Sequence, residues 1–155
     1  MIIILTVGTG TAGQHSNLAA GLLNSINSME VEPSFVLLVP STNTESTSLA
    51  ELITEECPFP SELVSFELRI QEPDDLVCAR SQIRACIELL NKRFPGQSIL
   101  VNPTSGTKQM TIGCFLAASE NPGVEISFIS GQRKDGVVIT GTEQNLRFEP
   151  NLLHR

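Results

Sequence analysis

Short apolar runs alternate with stretches of helical periodicity along this chain, and that alternation constrains the fold more than any other feature. Ile2–Val7 is nearly continuously apolar, as expected of a central strand covered on both faces. Ser16 is placed to cap a helix in which Leu18, Leu22, Ile26 and Met29 recur at helical spacing. Phe35–Val39 has the character of a second strand. A short helix from about Ser46 to Glu55 follows it, with Pro58 and Pro60 beyond its end. In Leu63–Ile70, Val64, Phe66, Leu68 and Ile70 alternate with Ser65, Glu67 and Arg69, which marks an edge strand with one wet face. Asp74 and Asp75 suit the start of a helix whose stripe is Leu76, Ile83, Ile87, Leu90 and Phe94, stopped by Pro95-Gly96. Ser98–Val101 is the fourth strand, and Lys108–Glu120 a helix rich in small residues. Val124–Ser130 and Val137–Thr142 then flank Lys134-Asp135-Gly136, whose Asp-Gly is a hairpin signal.

Strands that alternate with helices predict a parallel sheet with right-handed crossovers. The expected architecture is α/β: a Rossmann-like three-layer sandwich on a six-stranded, mainly parallel sheet of order 3-2-1-4-5-6, ending in an antiparallel hairpin. No repeat, low-complexity tract or linker divides the chain, so residues 1–155 are expected to form one domain. The order sets strands one and four side by side where the winding reverses, and ligands in such sheets bind outside the carboxyl ends of those strands. The walls of that crevice are Gly8–His15 and Asn102–Lys108.

A net charge of -7 argues against a general DNA- or RNA-binding surface, which is usually basic. There is no basic leader and no apolar run of membrane length, so the expected location is cytoplasmic and unanchored. Cys57, Cys78, Cys86 and Cys114 form no CxxC pair, and only His15 and His154 could join them. Reduced thiols are therefore expected, with no metal site and no cofactor.

The first crevice loop is Gly8-Thr9-Gly10-Thr11-Ala12-Gly13, a GxGxxG between a strand and a helix, followed by Gln14. Glycines there allow a tight turn and bring backbone amides close to phosphate oxygens. A dinucleotide site also needs an acid after the second strand, where this chain has Pro40-Ser41-Thr42-Asn43-Thr44. An ordinary nucleotide-cofactor enzyme is disfavoured on that ground. The second loop, Asn102-Pro103-Thr104-Ser105-Gly106-Thr107-Lys108-Gln109-Met110, is not a GxxxxGK[ST] phosphate loop, but it combines hydroxyls, a glycine and a lysine opening a helix. A lysine there opposes the helix dipole by roughly 0.3–1 kcal/mol, a cost explained by an anion in front of it. Residues 8–17, 40–44 and 102–111 together hold 25 residues without Asp or Glu, where 17 acids spread over 155 residues would place about 2.7.

The strand, the loop Asn102-Pro103-Thr104-Ser105-Gly106-Thr107-Lys108-Gln109-Met110 and the following helix resemble the N-P-T-G-G-T-K-x-M signature of CARF domains, the CRISPR-associated Rossmann fold. Ile4-Leu5-Thr6-Val7-Gly8-Thr9-Gly10 resembles that family's first-strand loop, and Ile126–Gly131 with Val137–Glu143 its closing hairpin. Ser105 departs from the family's usual glycine. The resemblance implies a sensor of cyclic oligoadenylate, cyclic tetra-adenylate foremost, in type III CRISPR antiviral defence. It also implies a homodimer with the ring on its two-fold axis. Some members are ring nucleases, and others are sensor modules of larger effectors; the chain stops soon after its last strand, so it is expected to be either a stand-alone CARF protein or the excised sensor of a longer effector.

Ring cleavage in this family needs no metal: a ribose 2′-hydroxyl attacks its own 3′-phosphate and leaves a 2′,3′-cyclic phosphate. Lys108 is the candidate for stabilising the phosphorane charge, with Thr9, Thr11 and His15 to orient the attacking hydroxyl and His15 as a base. Gly8, Gly10, Ala12, Gly13, Gln14, Asn102, Thr104, Ser105, Gly106, Thr107 and Gln109 complete the expected binding loops, and Ser41, Thr42 and Asn43 are expected to meet an adenine or ribose. Met110 and Cys114 read as core, Arg133 and Lys134 as solvated hairpin residues. The dimer contact is expected on the helices after strands one and four, where Ala19, Ala20, Gly113, Ala117 and Ala118 would permit close packing.

Overall fold

Every residue of β1 (Ile2–Val7) is buried, because helices pack on both sides of the sheet that it centres. In the computed structural model, which describes residues 1–9, 15–27, 32–66, 68–134, 137–139 and 141–151, the chain continues through α1 (His15–Asn27), β2 (Phe35–Pro40), α2 (Thr44–Glu56), a 3-10 turn (Ser61–Leu63) and β3 (Val64–Ser65). It then runs through α3 (Leu76–Arg93), β4 (Ile99–Asn102), α4 (Lys108–Ser119), β5 (Val124–Ser130), β6 (Arg133–Lys134), β7 (Val137–Val138) and β8 (Gln144–Phe148). The side chains of His15, Asn17, Ser61 and Val137 lie outside the description.

The sheet order is β3-β2-β1-β4-β5-β8. β1 is parallel to both β2 and β4, with Leu5 level with Asn102, and β8 closes the far edge antiparallel to β5. Alternate residues along each strand feed two cores. Ile2, Ile4, Leu37, Val39 and Val101 pack with Ile83, Ile87, Met110 and Cys114 of α3 and α4. Ile3, Leu5, Val7, Leu38 and Leu100 pack with Leu22, Ile26, Leu49 and Ile53 of α1 and α2.

Four expectations change in detail. The sixth strand of the sheet is Gln144–Phe148 and not Val137–Thr142. The Asp-Gly signal does sit between two paired strands, but these form a separate two-residue ribbon, Arg133 level with Val138 and Lys134 with Val137. β8 joins the sheet because Phe148 packs on Phe128 and Phe115, with centroids 6.3 and 6.4 Å apart. The third strand is shorter than its alternation implies: only Val36–Leu37 pair with Val64–Ser65, and an isolated bridge joins Ser41 to Ile70. Ser16 lies inside α1, which starts at His15. Finally, Ala19, Ala117 and Ala118 are fully buried within the chain, and a Cβ on Gly113 would lie 2.8 Å from both Ala79 Cβ and the Arg80 amide nitrogen. These small residues serve packing inside the protomer, α4 on α3 and α1 on the sheet. Of the five, only Ala20 is exposed.

Candidate functional site

Because β1 and β4 are parallel neighbours in register, the chain leaves both at the same edge of the sheet, and the two outgoing loops meet. The Gly8 amide donates to Ser105 Oγ at 2.9 Å, and the Thr6 hydroxyl donates to the Ser105 carbonyl. The backbones are so close that a Cβ on Gly8 would lie 2.7 Å from the Gly106 nitrogen. Gly106 itself has φ +124°, a conformation for glycine, and over it lies the Met110 thioether.

The second loop is braced from below and behind. Asn102, buried at the end of β4, accepts at Oδ1 from the Thr104 amide (3.0 Å) and hydroxyl (2.5 Å). The same hydroxyl accepts from the Ile129 amide at 3.3 Å, tying the loop to β5. Thr107 is the N-cap of α4: its Oγ1 accepts from the Met110 amide at 3.1 Å and donates to the Pro73 carbonyl. A helix start leaves its first amides without intrahelical partners, and here those amides belong to Lys108 and Gln109, next to the loop.

A third segment closes the crevice. Ser46 Oγ accepts from the Ser41 amide (2.9 Å) and donates to the Val7 carbonyl (2.6 Å), which pins the β2 end to the β1 end. Asn43 caps α2 by accepting from the Glu45 amide at 2.9 Å, which fixes the side chain and leaves its NH2 group to donate to a ligand. The resulting cleft has a volume of about 550 Å3, within the range of small-molecule sites.

Of the residues singled out in sequence, Gly8, Thr9, Ser41, Asn43, Thr104, Ser105, Gly106 and Thr107 line this cleft together. Thr42 does not; its hydroxyl and amide bond Gln71 and Ile70 on the β3 side. Asn102 does not line the cleft; its Nδ2 is buried and has no partner among the described residues. Lys108 is exposed on the first turn of α4, and neither it nor half-buried Gln109 is among the lining residues. Gly10, Thr11, Ala12, Gly13 and Gln14 lie outside the described residues, as does the side chain of His15, the first residue of α1. Arg133 and Lys134 are exposed on β6, away from the cleft lining.

Four lining residues were not anticipated: Leu18, Met110, Pro73 and Asp74. Met110 has the spacing of a core residue and is nearly fully buried, yet its sulfur end roofs Gly106. Pro73 and Asp74 precede α3, whose N-terminus stands beside that of α4, a proximity that the close α3–α4 packing at Gly113 imposes. The acid-free rim inferred from three segments therefore gains an acid from a fourth. Asp74 is the one charged residue in the described lining. No three His, Cys, Asp or Glu side chains cluster as a metal site among the described residues, and no helix among them is long and apolar enough to cross a membrane.

The fold is that of a Rossmann-like α/β domain, and the cleft lies at its topological switch point. A family model, the Card1 CARF domain, matches residues 22–153, and the chain belongs to the CARF family. The β4 loop falls within the matched residues, the β1 loop ahead of them. Among solved structures, the chain is similar to Enterococcus italicus Csm6 bound to cyclic hexa-2'-fluoro-hexa-dAMP, with TM-score 0.56 and 17% identity over 83% of this chain and 32% of that one. It is also similar to protein VC1899 from Vibrio cholerae, with TM-score 0.56 and 11% identity over 83% and 30% of the two chains. At these identities the likeness is one of fold, and the chain spans about a third of the length of either structure. A comparison with curated proteins finds no match.

Proposed function

We propose that this chain is a single CARF domain that binds a cyclic oligoadenylate, cyclic tetra-adenylate foremost, across the two-fold axis of a homodimer. The observation that carries the reading is the cleft itself: the β1 and β4 loops, held together by Gly8 and Ser105, open on a helix start whose first residue is Lys108. Backbone amides and a helix dipole at the cleft, with Lys108 exposed on the adjoining first turn of α4, suit a phosphate. The likeness to a Csm6 bound to a cyclic oligo-dAMP analogue supports the ligand class. The Gly8 amide is already spent on Ser105, so phosphate contacts fall to the start of α4 and to Lys108. Ser41, Asn43 and Thr104 are left for sugar and base.

A cleft of about 550 Å3 is well short of a four-nucleotide ring, so one protomer takes only part of it. An isologous pair presents each loop twice and brings in Lys108 from both sides. Ring opening at this site would need the ribose 2′-hydroxyl in line with its 3′-phosphate, and Lys108 would meet the charge on the phosphorane. Incubation with cyclic tetra-adenylate separates the two roles. Linear products with 2′,3′-cyclic phosphate ends identify a ring nuclease, an intact bound ring a sensor, and absence of binding to tetra- and hexa-adenylate rings alike overturns the reading.

A further inference from the structure

An acidic residue in a cleft read as a site for a polyanion calls for an explanation, and the hydrogen bonds around Asp74 supply one. Its neighbours on both sides are fixed. The Pro73 carbonyl accepts from Thr107 Oγ1. Asp75 caps α3, taking the Val77 and Cys78 amides at 2.7 and 3.2 Å, and its own amide donates to the Glu72 carbonyl at 3.0 Å. The helix cap is thus Asp75, and the Asp74 carboxylate, exposed where it lines the cleft, makes no ion pair and no hydrogen bond among the described residues. A carboxylate accepts hydrogen bonds and donates none, so it suits a ligand only where the ligand offers a donor. It also repels phosphate, by an energy that halves as the separation doubles. In an adenosine phosphate, the donor on the base edge farthest from the phosphates is the 6-amino group.

Resting on the ligand class proposed above, we infer that Asp74 reads the 6-amino group of an adenine and sets the base preference of this cleft. The β4 loop holds the backbone of the ligand, and the start of α3, fastened to that loop through Thr107 and Pro73, holds a base.

The test compares two rings by calorimetry: cyclic tetra-adenylate, and its analogue built from purine riboside, which lacks the 6-amino group. Wild-type protein is expected to favour the adenine ring. Asp74→Ala, which removes the acceptor, should weaken the adenine ring about tenfold or more, leave the purine ring unchanged or slightly tighter, and so erase the preference. Asp74→Glu should retain the preference in part. Lys108→Ala should weaken both rings alike. Circular dichroism and thermal unfolding check that each variant folds. The inference is overturned if wild-type protein binds both rings equally, or if Asp74→Ala tightens both by the same factor, as removal of a merely repulsive charge would. Failure of the ligand class looks different: wild-type protein then binds neither ring, which overturns both.

Discussion

Gly8 and Ser105, 97 positions apart, are joined by a hydrogen bond of 2.9 Å from the Gly8 amide to the Ser105 hydroxyl. The bond ties the loop after β1 to the loop after β4, and it is buried. The CARF signature that this loop resembles has glycine at the position of Ser105, and a glycine would offer no hydroxyl for this strap. The strap exchanges one amide that could have faced a ligand for a fixed wall.

Ser105→Ala should leave the buried Gly8 amide without a partner and lower stability by about 1–3 kcal/mol. Urea denaturation with an unchanged slope and a lower midpoint is the expected result. Gly8→Ala should be worse, because its Cβ would meet the Gly106 backbone at 2.7–2.9 Å and backbone cannot turn aside. A Gly8→Ala protein as stable as wild type would contradict the close approach of the two loops.

Two helical glycines should respond to alanine with opposite signs. Gly21, on the exposed side of α1, has nothing within 4 Å of an added Cβ, so Gly21→Ala should stabilise by about 0.5–1 kcal/mol through helix propensity. Gly113→Ala places its Cβ 2.8 Å from the α3 backbone, and should destabilise by about 1–3 kcal/mol despite the same propensity gain. Thermal unfolding of the two variants side by side is the check.

The order of strands and the position of the cleft were legible because they follow from alternation and handedness alone, which local residue patterns carry. Gln144–Phe148 was missed although Leu146 and Phe148 alternate with Asn145 and Arg147; the Asp-Gly turn upstream offered a stronger local signal and drew the hairpin to itself. Asp74 was missed for a different reason. It reaches the cleft only because α3 packs on α4 through Gly113 and because Thr107 bonds Pro73, contacts between segments 34 residues apart. The small residues of α4 suggested an interface and instead make that packing possible. Their composition does not say which neighbour they admit.

Lys108→Ala should weaken oligoadenylate binding by about 1.5–3 kcal/mol, the worth of one charge-assisted phosphate contact, and leave the unfolding midpoint within error of wild type. Its side chain is exposed, so the fold does not depend on it. Any ring cleavage by wild-type protein should persist in excess EDTA, since the attack proposed here uses the ligand's own hydroxyl. Cleavage lost on chelation and restored by magnesium or manganese would contradict that route.

Burial pushes the Cys86 thiol up to about 11, and burial with Cys86 as a neighbour pushes Cys114 up further. Both should resist iodoacetamide in the native protein at pH 8, where half-buried Cys57 and Cys78 are reached, Cys57 slowed because burial raises its thiol too. Above the ordinary thiol value near 9, the unfolded chain loses these protons while the folded chain keeps them, so the folded state binds more protons and stability falls as pH rises. Between pH 9 and 11, the Cys86 contribution to that fall is about 2 kcal/mol, and Cys86→Ala should flatten the slope in chemical denaturation measured across that window.

Calorimetric titration of cyclic tetra-adenylate into the purified protein, with the mass of the complex followed by light scattering, tests the central claim most directly. The cleft, its size and the single Lys108 per chain together predict saturation at one ring per two chains, with the mass of a dimer carrying one ligand. A protein that stays monomeric and binds one ring per chain would contradict the shared site, and a titration without heat for the tetra- and hexa-adenylate rings would contradict the account as a whole.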